Sequence, residues 1–296
     1  MNYSIKYNKN FKYYDVLDEV IFNFNKYSDK IVEEIGHPKW ENMRVVLDIT
    51  SCDDSQDILP ALNMCRKKHP NLAIKLMSSQ KMQLEKIKEN NFSFFFDTFV
   101  NTQDEIYGMV HKGVSDIYIT ESLAFNIKVI GQFCKKKGVR VRAIPNIAQH
   151  SLGYSSEIPD IYKFFIRPED VKYYEPYVDT FELLTRENKT NVVFEVYKNE
   201  VWKGDLRLLI DGISDSINNQ CLLPDFGQIR LNCEQICMYE QCNLCKKHQD
   251  VSKVLEEMDT YIKNPENKEW QKHTNIEKER ENYLKTIFKD SREVKY

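Results

Sequence analysis

The sequence predicts an α/β protein, namely a (β/α)8 barrel of the TIM type followed by a cysteine-rich metal-binding extension and a helical tail. Short apolar runs alternate with longer amphipathic segments through the first 185 residues, which is the pattern of parallel βαβ units. Eight such runs are present, and eight βα units are the number that closes a barrel. Five of the eight cysteines then fall in one short stretch after residue 220.

The predicted strands are short runs rich in β-branched and aromatic residues. They cover residues 19–24, 44–49, 73–77, 92–96, 116–120, 139–144, 163–166 and 180–184. The amphipathic segments between them predict helices at 29–36, 55–68, 81–90, 102–112, 122–137 and 170–178. Two helix ends have specific signals, because Thr102 and Glu105 form a capping-box pattern and Gly138 follows a lysine run.

The alternating pattern changes near residue 190, where residues 191–197 have the character of one more strand. We therefore expect the barrel at 1–190, the cysteine-rich extension at 191–249 and the helical tail at 250–296. An open doubly wound sheet is the alternative architecture. Its dinucleotide-binding form has no support, because no G-x-G-x-x-G follows the first predicted strand.

Composition limits the classes of partner and compartment. The net charge of −3 and the pI of about 6.1 give no bulk electrostatic case for nucleic-acid binding, although a local basic patch is compatible with them. No apolar run approaches the ~20 residues that span a bilayer, and the N-terminus has no secretory h-region. We expect a cytoplasmic protein with no membrane contact, whose cysteines are thiols or metal ligands.

The clustered cysteines predict a metal centre. Cys221, Cys233, Cys237, Cys242 and Cys245 are separated by spacings short enough for several sulfurs to face one point. The last four could form a closed zinc site with four thiolate ligands. The first three and one further cysteine could instead hold a [4Fe–4S] cluster. The plain alternative is a set of ordinary thiols or disulfides, and spacing alone does not choose between iron–sulfur and zinc.

Candidate catalytic residues come from the carboxyl ends of the predicted strands, where barrel sites are built. Asp48, Glu121 and Glu169 could handle protons, and Arg167 could hold a carboxylate or phosphate. The alternative for the Arg167-Pro168-Glu169 turn is structural, because proline and acidic residues suit the start of a helix. Other strand-end carboxylates, such as Asp97 and Glu182, are weaker candidates because acidic residues commonly cap helices.

The cysteine spacing resembles that of the peptidase U32 family. Cys221-x11-Cys233-x3-Cys237 after a small barrel is similar to the family pattern, and Cys52 corresponds to an early ligand that some members have. The resemblance implies an iron–sulfur barrel protein that hydroxylates RNA bases or a quinone precursor. Cys242 and Cys245 depart from that pattern, as does the small number of glycines, nine in all. Without the resemblance, Cys52 is better explained as a small apolar filler or a loop thiol than as a metal ligand.

Two functions follow from these patterns. The first, implied by the resemblance to the U32 family, is an iron–sulfur enzyme that modifies an RNA base or another small polar substrate at the barrel mouth. The second is a zinc-stabilised, non-catalytic scaffold that docks a protein partner through the C-terminal helix. A mouth lined by polar and charged side chains favours the enzyme, and a mouth filled by apolar side chains favours the scaffold.

Overall fold

A computed structural model describes residues 2–24, 28–100, 102–119, 127–147 and 165–210, together with Asn219 and Leu231. In these residues the chain forms an α/β fold around one parallel sheet. The strands are β1 (Tyr3–Lys6), β2 (Glu19–Asn23), β3 (Arg44–Asp48), β4 (Leu72–Leu76), β5 (Ser93–Phe96), β6 (Phe99–Val100), β7 (Asp116–Ile119), β8 (Arg140–Ala143) and β9 (Thr180–Leu183).

The nine strands are hydrogen-bonded in the order β5-β4-β3-β2-β1-β9-β8-β7-β6, and every pair is parallel. The two end strands of this order, β5 and β6, are neighbours in the chain, joined through Asp97 and Thr98. The backbone N–H and the hydroxyl of Ser115 both donate to the Phe94 carbonyl, at 2.7 and 3.0 Å, just before β7 begins. The sheet is therefore strongly curled, with its two ends close together.

Helices connect most of the strands. They are α1 (Ser28–Ile35), α2 (Leu59–Lys68), α3 (Lys81–Glu89), α4 (Gln103–His111), α5 (Ile127–Lys136), α6 (Val171–Tyr174) and α7 (Thr190–Lys198). Short 3-10 turns lie at Tyr14–Val16, Pro38–Trp40, Pro168–Asp170 and Leu206–Leu208. The predicted capping box is confirmed, because Thr102 Oγ1 accepts from Glu105 N–H while Glu105 accepts from Thr102 N–H, both at 3.2 Å. Gly138 has φ +69°, as a helix-ending glycine should.

Seven of the eight predicted strands coincide with observed ones, and four differences stand out. The two-residue strand β6 was not predicted, because it is too short to show a pattern. Strand β1 was not predicted, because Tyr3–Lys6 is only four residues long and carries polar side chains. The predicted strand at 163–166 falls partly outside the described residues, and Phe165 and Ile166 are buried without strand structure. The predicted strand at 191–197 is wrong, because those residues lie within α7.

The error at α7 has a physical cause. The β-branched residues of this segment favour a strand, but Val193, Phe194 and Tyr197 recur at helical spacing and are all nearly fully buried. Tyr197 also ties the helix to two other parts of the fold. Its hydroxyl donates to the Ile166 carbonyl at 2.9 Å, and its own carbonyl accepts from Tyr3 at 2.8 Å. Tertiary packing therefore outweighs local propensity here.

Alternation along the strands divides the sheet into an outer and an inner face. Outward side chains such as Val20, Phe22 and Val45 pack with the helices in the main hydrophobic core. Inward side chains form a second, smaller apolar cluster: Ile21, Val46, Ala73, Phe95, Tyr118 and Ile144. Full burial of a Val, Ile or Phe side chain contributes about 1.5–3 kcal/mol to stability. Buried ionisable groups lie on the inner face on both sides of this apolar cluster, toward the amino ends and toward the carboxyl ends of the strands.

The predicted cysteine-rich extension and helical tail lie outside the described residues, except for Asn219 and Leu231. Their structure and the division of the chain at residues 190 and 249 stay predictions. Among the described helices, none combines the length and the apolar character that a membrane span requires.

Candidate functional site at the carboxyl ends of the strands

The inward side chains at the amino ends of the strands form a buried ionic cluster. Glu19, Arg44, Asp116 and Arg140 each begin their strand, and Arg142 lies two residues further along β8. Arg44 donates to Glu19 Oε2 at 3.0 Å and to Asp116 Oδ2 at 2.6 Å. Arg142 donates to Glu19 Oε1 at 2.5 Å. Because ligands of parallel α/β folds bind at the opposite ends of the strands, we interpret this cluster as structural.

The electrostatics of the ionic cluster keep its carboxylates charged. Burial acts to raise the pKa of Asp116, but hydrogen bonds and charge from Arg44, with Arg142 and Arg140, outweigh it and lower that pKa to about 2. The same balance lowers the pKa of Glu19, where burial is opposed first by Arg142 and then by Arg44. The cluster is therefore a network of fixed charges at neutral pH.

A second group of ionisable side chains lies toward the carboxyl ends of the strands, and we call it the Lys75 cluster. It consists of Lys75, Asp48, Asp97, Tyr118 and Glu182. Lys75 points inward because it is two residues from inward-facing Ala73, and it is the register partner of Asp48 on β3. Asp97 directly follows β5, whereas Tyr118 and Glu182 are the third residues of β7 and β9.

Lys75 is the centre of this cluster, with 3% of its surface exposed. Its Nζ lies 3.0 Å from Asp97 Oδ1, 3.6 Å from Glu182 Oε1 and 3.9 Å from Asp48 Oδ2. The ammonium also lies 5.2 Å from the centre of the Tyr118 ring. One buried cation is thus surrounded by carboxylates from three other segments of the sheet.

The protonation states of the cluster follow from its contacts. Burial acts to lower the pKa of Lys75, but Glu182, Tyr118, Asp97 and Asp48 together outweigh it and raise that pKa. Burial acts to raise the pKa of Glu182, but Lys75, Arg142 and a hydrogen bond from Tyr118 lower it. Burial, followed by the charge of Glu182, raises the pKa of Tyr118 well above its usual value. At neutral pH the cluster therefore contains an ammonium, ionised Glu182 and a neutral phenol.

The three carboxylates differ in how firmly they are held. Asp48 Oδ1 accepts from the N–H of Thr50 at 3.1 Å and from its hydroxyl at 2.6 Å. Glu182 Oε2 accepts from the Tyr118 hydroxyl and from Arg142 Nη2, and the side chain is fully buried. Asp97 is 45% exposed, and within the described residues Lys75 is the partner of its carboxylate. A ligand would therefore reach Lys75 past Asp97.

Apolar groups and a buried amide surround the cluster. Phe99 packs against Tyr118 with ring centres 5.6 Å apart, and Ile147 and Leu184 lie against the same inner apolar cluster, all three partly exposed. Asn146 fixes this edge by donating to the carbonyls of Leu184 at 2.5 Å and Leu209 at 3.0 Å. The Lys75 cluster is thus bordered by partly exposed apolar side chains, which can contact apolar groups.

The residues predicted from the sequence have different locations. Asp48 belongs to the Lys75 cluster. Arg167 precedes a 3-10 turn, with its Nε 3.5 Å from Glu169 Oε2 and 3.6 Å from Asp170 Oδ2. Glu169 accepts from the Trp202 N–H at 2.8 Å and from Asn219 Nδ2 at 2.9 Å, so it joins this turn to the segment after α7. The predicted catalytic residue Glu121 lies outside the described residues.

All five predicted metal-ligating cysteines lie outside the described residues. Of the described cysteines, Cys52 is half-buried and its thiol donates to the Phe24 carbonyl at 3.1 Å. Burial, then the charge of Asp48, raises the pKa of the Cys52 thiol. Cys65 and Cys134 are buried in the main core. In the part of the chain that the structure describes, no three His, Cys, Asp or Glu residues are grouped as metal ligands.

Lys75 and Tyr118 were not among the residues predicted from the sequence. A signal for Lys75 was present, because it is the charged residue inside an otherwise apolar strand, LAIKL. Glu182 has the same character within TFEL. A charged residue on a strand whose other residues are all buried must either face a partner or carry a large desolvation penalty.

Comparisons with known proteins give limited matches. No model of a known protein family matches the chain. Over 93 residues it is 34% identical to the uncharacterized protease MJ1657 of Methanocaldococcus jannaschii. The aligned region is 28% of this chain, and the chain spans only 26% of the length of that curated relative. Family membership therefore does not follow from this match.

One solved structure is similar at a low level. It is the crystal structure of a conserved protein of unknown function from a locus in Enterococcus faecalis. The TM-score is 0.36 and the identity is 12%, with 67% of this chain and 66% of that one covered. A similarity at this level does not establish a shared fold or a shared function.

Proposed function

We propose that the curled sheet closes into a (β/α)8 barrel in which β5 and β6 act as one interrupted strand. Three features support closure: β5 pairs with β4, β6 pairs with β7, and only Asp97 and Thr98 separate the two segments. The bonds from Ser115 to the Phe94 carbonyl join the same two edges. Counted in this way, the sheet has eight parallel strands, the number of a TIM barrel.

We further propose that this barrel is an enzyme of the peptidase U32-like type. The observation that carries the proposal is the buried Lys75 ammonium, within 3.9 Å of carboxylates from three other segments at the carboxyl ends of the strands. Barrel enzymes build their sites at this end. Burial alone does not mark a site, since the ionic cluster at the amino ends is also buried. The Lys75 cluster differs in its location at the carboxyl ends and in the half-exposed carboxylate of Asp97. The protease name of the archaeal relative agrees with this family.

The cysteine segment is proposed to hold the metal, with Cys221, Cys233, Cys237, Cys242 and Cys245 as the available donors. Thiolates are the ligands of both [4Fe–4S] clusters and structural zinc. The resemblance to the U32 family favours the iron–sulfur cluster, which when bound supplies electron transfer. Cys52 is a weaker ligand candidate, because its thiol is used in the bond to Phe24 and its pKa is raised.

The proposed substrate is an RNA base or a related small polar molecule, as in the U32 family. Asp48, with the other members of the Lys75 cluster, would orient polar groups and hold protons. The turn at Arg167 and Glu169 would support the edge of the mouth, and the guanidinium of Arg167 would contact an anionic part of the substrate. Glu121 is proposed as an additional residue that donates or accepts protons, because it directly follows the predicted strand at 116–120.

Two linked measurements test the proposal. The full chain is purified under inert gas, and its iron, sulfide and zinc are measured. Modified nucleosides in total RNA are then compared by mass spectrometry between a strain lacking the protein and the same strain carrying the wild type, Arg167→Ala or Glu121→Gln. We expect iron with sulfide and at least one nucleoside that depends on the protein.

Zinc in place of iron, with identical nucleosides in every strain, would contradict the proposed function. That outcome would support the alternative, a zinc-stabilised scaffold that docks a protein partner. Iron with sulfide but unchanged RNA would contradict the RNA substrate and would favour an enzyme that acts on another small polar molecule.

A further inference from the structure

The two oxygens of the Glu182 carboxylate have different surroundings. Oε2 accepts from the Tyr118 hydroxyl and, at 3.4 Å, from Arg142 Nη2. Oε1 is buried and has no hydrogen-bond partner among the described residues. Lys75 Nζ is 3.6 Å from it, beyond the usual range of about 2.7–3.2 Å for an N–H···O bond. A buried carboxylate oxygen without a donor is costly, so it points to a donor that is not a described side chain.

The ammonium of Lys75 has complementary unused capacity. It has three N–H donors, and within the described residues only Asp97 Oδ1, at 3.0 Å, lies at hydrogen-bond distance. Asp48 Oδ2 and Glu182 Oε1 lie 3.9 and 3.6 Å from Lys75 Nζ. These distances allow charge pairing but are too long for hydrogen bonds. Lys75 Nζ therefore has N–H donors beside the acceptor oxygen Glu182 Oε1. We call this pair of groups the floor of the proposed barrel mouth.

We propose that this floor binds a neutral hydroxyl group of the substrate. Its oxygen accepts from Lys75 Nζ, and its proton is donated to Glu182 Oε1. A hydroxyl meets both needs because it is a donor and an acceptor at one atom. The inference rests on the proposed function in one respect, the location of the site at the carboxyl ends of the strands.

The charges of the cluster select against other small groups. A carboxylate or phosphate would lie beside Asp48, Asp97 and Glu182 and would meet like charge. A protonated amine could donate to Glu182 Oε1 but has no acceptor for the Lys75 N–H groups. Asp97 extends this preference outward. Its half-exposed carboxylate can accept from a second hydroxyl on the adjacent carbon, so the ligand class is a vicinal diol, such as a sugar.

The experiment uses saturation-transfer NMR on the full chain as purified under inert gas. The probes are D-ribose, sodium acetate, methyl phosphate and methylammonium, each of which carries C–H protons that report saturation transfer. We expect saturation transfer to ribose and not to the other three. The ribose signal should be lost in Lys75→Met and retained in Lys136→Met, a matched change at an exposed lysine on α5.

Asp97→Asn is the second variant, because it changes an exposed group and should fold normally. It should weaken the ribose signal without abolishing it. No transfer to ribose in the wild type, or transfer to acetate or methyl phosphate that depends on Lys75, would overturn the inference. Ribose binding together with unchanged cellular RNA would contradict the RNA substrate alone. RNA changes without ribose binding would contradict only the hydroxyl site.

Discussion

Lys75 and Asp97 form a 3.0 Å ion pair in which the cation is buried and the carboxylate is 45% exposed. Glu182, in contrast, is fully buried and holds Tyr118, Arg142 and Lys75 together. The two acidic residues therefore have different roles in one cluster. Asp97 is the carboxylate exposed to solvent, and Glu182 connects the Lys75 cluster to Arg142 of the buried ionic cluster.

Substitutions at these two acidic residues should affect stability unequally. Glu182→Gln removes one charge of a buried network and should cost about 3–5 kcal/mol. Asp97→Asn changes a half-exposed pair and should cost about 0–1 kcal/mol. Urea unfolding followed by circular dichroism measures both. Equal losses for the two variants would contradict this division.

Arg142 should be one of the most sensitive positions in the described fold. Its guanidinium is fully buried, contacts Glu19, Asp116 and Glu182, and lies 4.8 Å from the Phe95 ring centre. Arg142→Met leaves these carboxylates without that cation, and we expect a loss of about 3–5 kcal/mol in the free energy of unfolding. In Arg142→Met/Glu19→Gln the loss should be smaller than the sum of the two single losses, because one uncompensated charge is removed. An additive double variant would count against a shared network.

Acid should weaken the fold through Asp116. Its folded pKa of about 2 lies below its ordinary value of 3.8, so its contribution is complete above pH 3.8 and is lost as the pH falls toward 2. The contribution is about 2 kcal/mol. Unfolding free energies measured between pH 5 and pH 2 should fall less steeply in Asp116→Asn than in the wild type. Asp57→Asn, at an exposed carboxylate, serves as the control and should follow the wild-type curve.

Cysteine substitutions should separate metal ligands from structural thiols. If the cysteine segment holds the proposed metal, Cys233→Ser and Cys237→Ser should lose that metal and much of the folded protein, because metal binding is coupled to folding. Cys52→Ser should keep the metal, since the Cys52 thiol donates to the Phe24 carbonyl and a serine hydroxyl can donate to the same oxygen. Metal loss in Cys52→Ser would identify it as a ligand.

Periodicity predicted much of the fold because buried parallel strands are continuous apolar runs and helices have a 3.6-residue repeat. It could not predict β1, whose four residues are too few to show a pattern, or α7, whose packing overrides its β-branched composition. The predicted barrel implied a curled parallel sheet, and the described strands form one. The place of β1 between β2 and β9 could not be predicted, because it depends on pairings between distant segments.

The candidate site was predicted only in part. The rule that sites follow strand ends found Asp48, and it included Asp97 and Glu182 as weaker candidates. Lys75 precedes the last residue of β4, so a search beyond strand ends passes over it. Tyr118 has the composition of an apolar strand residue, and only the fold brings its hydroxyl to Glu182. Convergence of side chains from separate strands is a tertiary property.

The most direct test of the central claim compares Lys75→Met with Lys136→Met in the strain that lacks the protein. Nucleosides in total RNA are quantified by mass spectrometry, and soluble protein is measured in the same cells. We predict that Lys136→Met restores the wild-type profile, whereas Lys75→Met leaves it as in the deletion strain at equal soluble protein. Full restoration by Lys75→Met would contradict a functional site at Lys75.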